Sequence, residues 1–195
     1  MSIEQIAVIG AGTMGNGIAQ VCAIAGYQVL LVDVSDAALE RGVATLSKNL
    51  ERQVSKGTLD ADKAAAAKAR IRTSTDYTQL SAAHLVIEAA TENLQLKQRI
   101  LQQVAANVAA DCLIATNTSS LSVTQLAASI EHPERFIGVH FFNPVPMMAL
   151  VEIIRGLQTS DNTYAQALVV TEKVGKTPIT AVSYTHLRAH ETGRN

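Results

Sequence analysis

The chain has 195 residues, 48% of them hydrophobic and 17% charged, with a formal net charge of −1. That balance suits one well-cored domain, or one domain and the start of another, and it excludes a disordered chain. There is no basic excess for nucleic acid, no apolar run of membrane-spanning length and no basic leader at Met1–Gln5, so a cytoplasmic protein with no nucleic-acid and no membrane partner is expected. Cys22 and Cys112 stand in apolar surroundings without metal-ligand spacing. They read as buried free thiols of a reducing compartment, and no metal site is expected.

Short β-branched runs alternate with longer helical stretches, the pattern of a parallel sheet covered by helices. The chain opens with a predicted strand at Gln5–Ile9, a helix at Met14–Ala25 and a strand at Gln28–Val32. A long excursion separates Asp33 from Ile71. Structureless loops seldom run that far, so a helical hairpin over about residues 36–69, broken at Gly57-Thr58, is predicted to project from the sheet. The alanines at Ala64–Ala67 reflect ordinary helix propensity. Strands follow at His84–Glu88, Leu113–Thr116, Phe136–His140 and Leu150–Ile154, with weaker candidates at Ile71–Thr73 and Thr177–Ile179. The remaining helices fit Leu94–Ala106, Val123–Ser129 and Asn162–Val174.

The string from Val182 to Thr192 carries no periodicity that continues this fold. It is the residue-for-residue translation of a transposase sequencing adapter, so 1–181 reads as the natural domain and 182–195 as foreign, with the natural C-terminus missing. His186 and His190 have the i, i+4 spacing of a helical metal pair, and on this reading they carry no biological meaning.

Gly10-Ala11-Gly12-Thr13-Met14-Gly15 follows the first strand directly and opens the first helix. G-x-G-x-x-G alone is a weak signal. In this context Gly10 permits a tight turn, Gly12 admits a pyrophosphate against backbone, and Gly15 lets helix pack closely on strand. The N–H groups of Thr13, Met14 and Gly15 then face the phosphates. Asp33 ends the second strand, 18 residues after Gly15, where a carboxylate accepts from ribose hydroxyls and repels a 2′-phosphate. Val34 and Ser35 offer that phosphate no cation, which favours NAD over NADP. A turn or helix-capping aspartate is the competing role. The fold expected is α/β: a Rossmann-type doubly wound, mostly parallel sheet with a helical hairpin insertion.

Downstream lie Ser119, in Thr116–Ser122, then His140, in Gly138–Pro146, and Glu152. Oxidising an alcohol removes a proton from oxygen while hydride leaves carbon, and histidine is the side chain that ordinarily titrates near neutral pH. His140 falls at a strand end, on the edge where open α/β sheets bind ligands. Glu152 on the next strand suits an orienting carboxylate, and Ser119 a hydroxyl that meets the reacting oxygen. Taken singly, they read as a structural histidine, a surface charge and a capping serine.

With Gly10–Gly15, Glu88–Asn93, Asn117–Ser120 and His140–Pro144 in view, the chain resembles the L-3-hydroxyacyl-CoA dehydrogenases from Ile3 to about Ala181, most of all the bacterial short-chain members. The resemblance implies that His140 is the general base, Glu152 its partner and Ser119 a substrate-positioning hydroxyl. It implies dinucleotide contacts at Asp33, Glu92, Lys97, Ser119 and Asn143, and a hairpin that grips coenzyme A.

Lys48, Arg52 and Lys56 lie at i, i+4 and i+8, a basic stripe suited to acyl-CoA phosphates. A solvated face is the other reading of that stripe. Lys56 matches a family contact with coenzyme A, whereas Asn49 replaces a residue that is often serine. The resemblance further implies an absent helical domain beyond Ala181. That domain would carry a carbonyl-polarising asparagine, complete the acyl cleft and form a homodimer. A non-catalytic NAD-binding module and a piece of a multifunctional β-oxidation protein are the alternatives, the start at Met1 disfavouring an N-terminal fusion.

Overall fold

Eight strands join in one sheet, and the computed structural model describes them over residues 2–182. The strands are β1 (Gln5–Ile9), β2 (Gln28–Val32), β3 (Ile71–Ser74), β4 (Leu85–Glu88), β5 (Leu113–Thr116), β6 (Phe136–Phe141), β7 (Leu150–Arg155) and β8 (Thr177–Val182). Their order is β3-β2-β1-β4-β5-β6-β7-β8. Every pairing is parallel except β6 with β7. Strand order reverses between β1 and β4, which opens a crevice at their carboxyl ends.

Both sheet faces are covered, so the strands read as nearly continuous apolar runs. Ile6, Val8, Leu85, Ile87, Ile137 and Val139 face α1 (Thr13–Ile24), α2 (Asp36–Ser55), α3 (Ala61–Ala69) and α6 (Asp161–Lys173). Ala7, Ile9, Val86, Ile114 and Phe136 face α4 (Leu94–Asn107) and α5 (Val123–Ala127). The two-residue alternation divides each strand between two cores. Side-chain caps start four of the helices: Ser35, Asn93, Ser122 and Ser160 accept from the backbone N–H of Ala38, Leu96, Gln125 and Thr163.

Both weak strands form. Ile71–Ser74 pairs with β2 at one sheet edge, and Thr177–Val182 pairs with β7 at the other. The hairpin forms as α2 and α3, but it does not stand clear of the sheet. Leu39, Leu46, Leu50, Ala64 and Ala67 bury into the same core as Ile18 and Cys22 of α1. Alanines on α3 thus serve as a flat packing face as well as helix formers. His84 lies just before β4, where its Nδ1 accepts from the N–H of Glu4, and Ser129 lies past α5. The adapter reading falls outside the described residues except at Val182, which is the last residue of β8.

Cys22 and Cys112 are buried, and burial pushes both thiols up to about 12. Both therefore resist a thiol reagent at about pH 8 in the folded protein and react in denaturant. Rapid labelling under native conditions contradicts this packing. Among the described residues no helix is long and apolar enough to cross a membrane, and no cluster of three metal-ligating side chains occurs.

Candidate active site

The glycine loop sits in the crevice where strand order reverses. Gly10 has φ +99°, and a Cβ there would lie 2.7 Å from Ala90 Cα. A Cβ on Gly15 would fall 1.7 Å from the Gly10 carbonyl oxygen, so the loop closes on itself only without that atom. At Gly12 the outcome reverses: nothing lies within 4 Å of an added Cβ. Gly12 also starts α1 with no side-chain cap, which leaves the first N–H groups of the helix directed into the crevice. Met14 packs its side chain onto the core and offers only its backbone there.

Asp33 braces the loop. Its Oδ2 accepts from Ala11 N–H at 2.8 Å and its Oδ1 from Ser35 N–H at 3.2 Å. Each oxygen keeps a further lone pair for a ligand hydroxyl. The turn role and the ribose role are thus compatible at this residue. The cleft encloses about 460 Å³ and is lined by Gly10, Gly12, Thr13, Asp33, Asn143 and Pro144, among others. A second hollow of about 380 Å³ adjoins Gly10 and Asp33, lined by Val34, Tyr77 and Arg99, with Val34 85% exposed. Burial, with the Glu88 and Asp33 charges, pushes the Tyr77 hydroxyl up. The open space at Gly12, the uncapped helix and the carboxylate together fit a dinucleotide lying along the sheet edge.

His140 and Glu152 meet by strand register. They are direct partners on the antiparallel β6–β7 pair, and His140 Nδ1 lies 3.3 Å from Glu152 Oε2. Both are largely shielded, at 16% and 14% side-chain exposure, and the Phe142 ring stands 4.6 Å from the imidazole. Asn117 holds the end of β6, its Oδ1 accepting from Phe141 N–H at 2.8 Å. That residue belongs to the Asn117–Ser120 motif, yet its burial and its partner are visible only in three dimensions.

Ser119 is exposed just past β5, and its N–H donates to Glu92 Oε1 at 3.2 Å. Thr118 Oγ1 donates to Glu92 Oε2 at 2.7 Å, so Glu92 latches two loops of the sheet edge together. Lys97 is not brought to the surface of the cleft. It is 1% exposed, and its ammonium forms a buried ion pair with Glu88 that Thr116 Oγ1 joins. A buried ammonium must be paired, and Glu88 fills that need. Glu88 Oε1 also accepts from Ala90 N–H at 2.9 Å, which ties this network to the cleft wall.

Lys48, Arg52 and Lys56 are exposed and do not line the cleft, whereas Arg41, Thr45 and Asn49 on the adjoining row of α2 do. Gly42 permits this approach, since a Cβ there would lie 2.8 Å from the Ala11 carbonyl oxygen. A glycine inside a helical run was the available signal for it. Arg41 is a cation at the cleft that Val34 and Ser35 did not reveal.

Residues 5–184 match the family model described as 3-hydroxyacyl-CoA dehydrogenase, NAD binding domain. The chain is 45% identical over 174 residues to a 3-hydroxybutyryl-CoA dehydrogenase of Bradyrhizobium diazoefficiens, covering 89% of this chain and 59% of that protein. It is 42% identical to a fatty acid oxidation complex subunit alpha of Pseudomonas syringae, covering 91% of this chain and 24% of that one. The crystal structure of (S)-3-hydroxybutyryl-CoA dehydrogenase from Ralstonia eutropha superposes with a TM-score of 0.92 at 53% identity, over 93% of this chain and 64% of that one. The chain thus spans about three fifths or less of the curated relatives it matches. A doubly wound sheet with an uncapped glycine loop at its crossover, matched along nearly its whole length, belongs to the NAD-binding domain family of the 3-hydroxyacyl-CoA dehydrogenases.

Proposed function

We propose that this domain serves NAD-dependent interconversion of a short-chain L-3-hydroxyacyl-CoA, such as 3-hydroxybutyryl-CoA, and its 3-oxoacyl-CoA, in fatty acid or butanoate metabolism. The observation that carries this reading is the shielded His140–Glu152 pair, three residues from the Asn143 that lines the dinucleotide cleft. NAD, when bound, accepts the hydride from the substrate carbon or returns it.

The chain's own residues do the rest. Glu152 engages Nδ1, which leaves Nε2 to take the hydroxyl proton, and the carboxylate then meets the imidazolium charge. Ser119 positions the reacting oxygen. Gly10, Gly12, Thr13, Met14 and Gly15 hold the pyrophosphate, Asp33 the ribose, and Glu92, Ser119 and Asn143 the nicotinamide half. Lys97 acts from beneath through Glu88, and Lys48, Arg52 and Lys56 meet the coenzyme A phosphates. Residues 1–181 form the NAD-binding domain of a cytoplasmic homodimer that a helical domain completes. The adapter-derived stretch replaces the native sequence from about position 182, which adapter-free sequencing of the gene tests.

In the full-length protein, acetoacetyl-CoA drives NADH oxidation, followed by loss of nicotinamide absorbance. NADH binding without any turnover leaves only a non-catalytic module. The 195-residue chain by itself is expected to bind NAD weakly and turn over little, and acetoacetyl-CoA-dependent NADH oxidation at a rate typical of intact enzymes overturns this. The likeness to a fatty acid oxidation complex subunit favours a second reading, a segment of a multifunctional chain. A native gene that runs well past one helical domain selects it. Asp33→Ser is expected to raise the KM for NAD by about tenfold and to narrow the preference over NADP. An unchanged ratio of kcat/KM for the two cofactors counts against the ribose role.

A further inference from the structure

Lys176 lies far from the glycine loop in sequence and is only 8% exposed. It follows Gly175, whose φ of +77° turns the chain from α6 toward β8. Its Nζ donates to the carbonyl oxygens of Val145 at 2.6 Å and Met148 at 2.8 Å. Both acceptors belong to the turn between β6 and β7, which also closes by hydrogen bonds from the N–H of Met147 and Met148 to the Pro144 carbonyl. Asn143, Pro144, Val145 and Pro146 of this turn line the dinucleotide cleft. Val145 presses on α1 so closely that a Cβ on Gly17 would lie 2.9 Å from its Cβ. Few side-chain groups cost more to bury than an ammonium, and a lysine placed so is retained where its hydrogen bonds hold something in position. Burial pushes this ammonium down from the ordinary lysine range.

We propose that Lys176 is a positioning residue for the cofactor site: from the far edge of the sheet it fixes the Asn143–Pro146 wall against α1, and so sets the width of the cleft. This rests on the reading of that cleft as the NAD site. The side chain touches neither substrate nor the reacting atoms, and it acts through two backbone carbonyls. Loss of Lys176 leaves the glycine loop unchanged in sequence and loosens the Asn143–Pro146 wall that packs against α1.

The test compares the full-length protein with Lys176→Met, using NADH fluorescence for binding and steady-state kinetics for the substrate. The dissociation constant for NADH is expected to rise about tenfold or more, with the KM for acetoacetyl-CoA within about twofold of the parent. Amide exchange at Met147 and Met148 accelerates in the same variant. A folded variant with the parental NADH affinity overturns the proposal. So does a parallel loss of both affinities with a general fall in Tm, which marks a merely structural lysine. If Lys176→Met fails to fold, Lys176→Gln is judged by the same criteria. A parent that binds no NADH at all instead fails the cofactor reading, and the inference falls with it.

Discussion

Replacing His140 by glutamine in the full-length protein lowers kcat by about 10²–10⁴-fold, the range that a positioned general base contributes. The affinity for NADH stays near that of the parent. Glutamine retains a polar group of similar reach on β6, so the change isolates proton transfer from packing. Glu152→Gln has a smaller effect. It keeps an oxygen near Nδ1 but removes the charge that meets the imidazolium, and hydrogen bonds to charged groups are worth about 1.5–3 kcal/mol. That corresponds to a loss of about 10–100-fold in kcat. Stopped-flow single turnovers separate this chemistry from product release. Retention of kcat within tenfold in His140→Gln removes the histidine from the mechanism.

Two alanine substitutions one helical turn apart have opposite signatures. Gly15→Ala puts a methyl 1.7 Å from a backbone oxygen that cannot move without opening the loop. Overpacking of that kind costs about 1–3 kcal/mol, and contact with backbone places this site at the upper end. At about 2–4 °C per kcal/mol for a domain of this size, Tm falls by several degrees, and NAD binding is lost with it. Gly12→Ala adds its methyl to open space, so Tm stays within about 2 °C of the parent. Its NAD affinity nevertheless falls, because the methyl stands where the pyrophosphate must approach backbone. Calorimetry and NADH titration on both variants check the contrast. A Gly12→Ala protein that binds NADH as the parent does places the dinucleotide elsewhere.

The strands were legible because parallel strands buried on both faces read as apolar runs, and even Ile71 and Thr177 were marked by β-branched neighbours. The hairpin was legible by length alone, but its posture was not. Whether Ala64 and Ala67 face solvent or α1 depends on a tertiary contact that alanine composition leaves open. At the site, Gly10–Gly15 and the His140–Glu152 pair stood out because local pattern and strand phase determine them. That Lys97 lies buried was not legible, because a lysine shows its burial only through its partner, and Glu88 lies on a different element. Lys176 was passed over for the same reason. The cleft-lining row of α2 differs from the basic stripe by a fraction of a turn, and only docking on the glycine loop at Gly42 decides which row faces inward.

The antiparallel pairing of β6 with β7 has a consequence for how this active site tolerates change. His140 and Glu152 occupy the same rung, so a frame slip of one residue within either strand sends one of them through the sheet to the opposite side. Insertions and deletions are therefore sharply partitioned. Inside Phe136–Phe141 or Leu150–Arg155 a single added residue dismantles the pair, while one added between the two strands leaves the phase of each strand unchanged. A library of random single-codon insertions across this hairpin would show a sharp boundary in surviving activity at the strand ends.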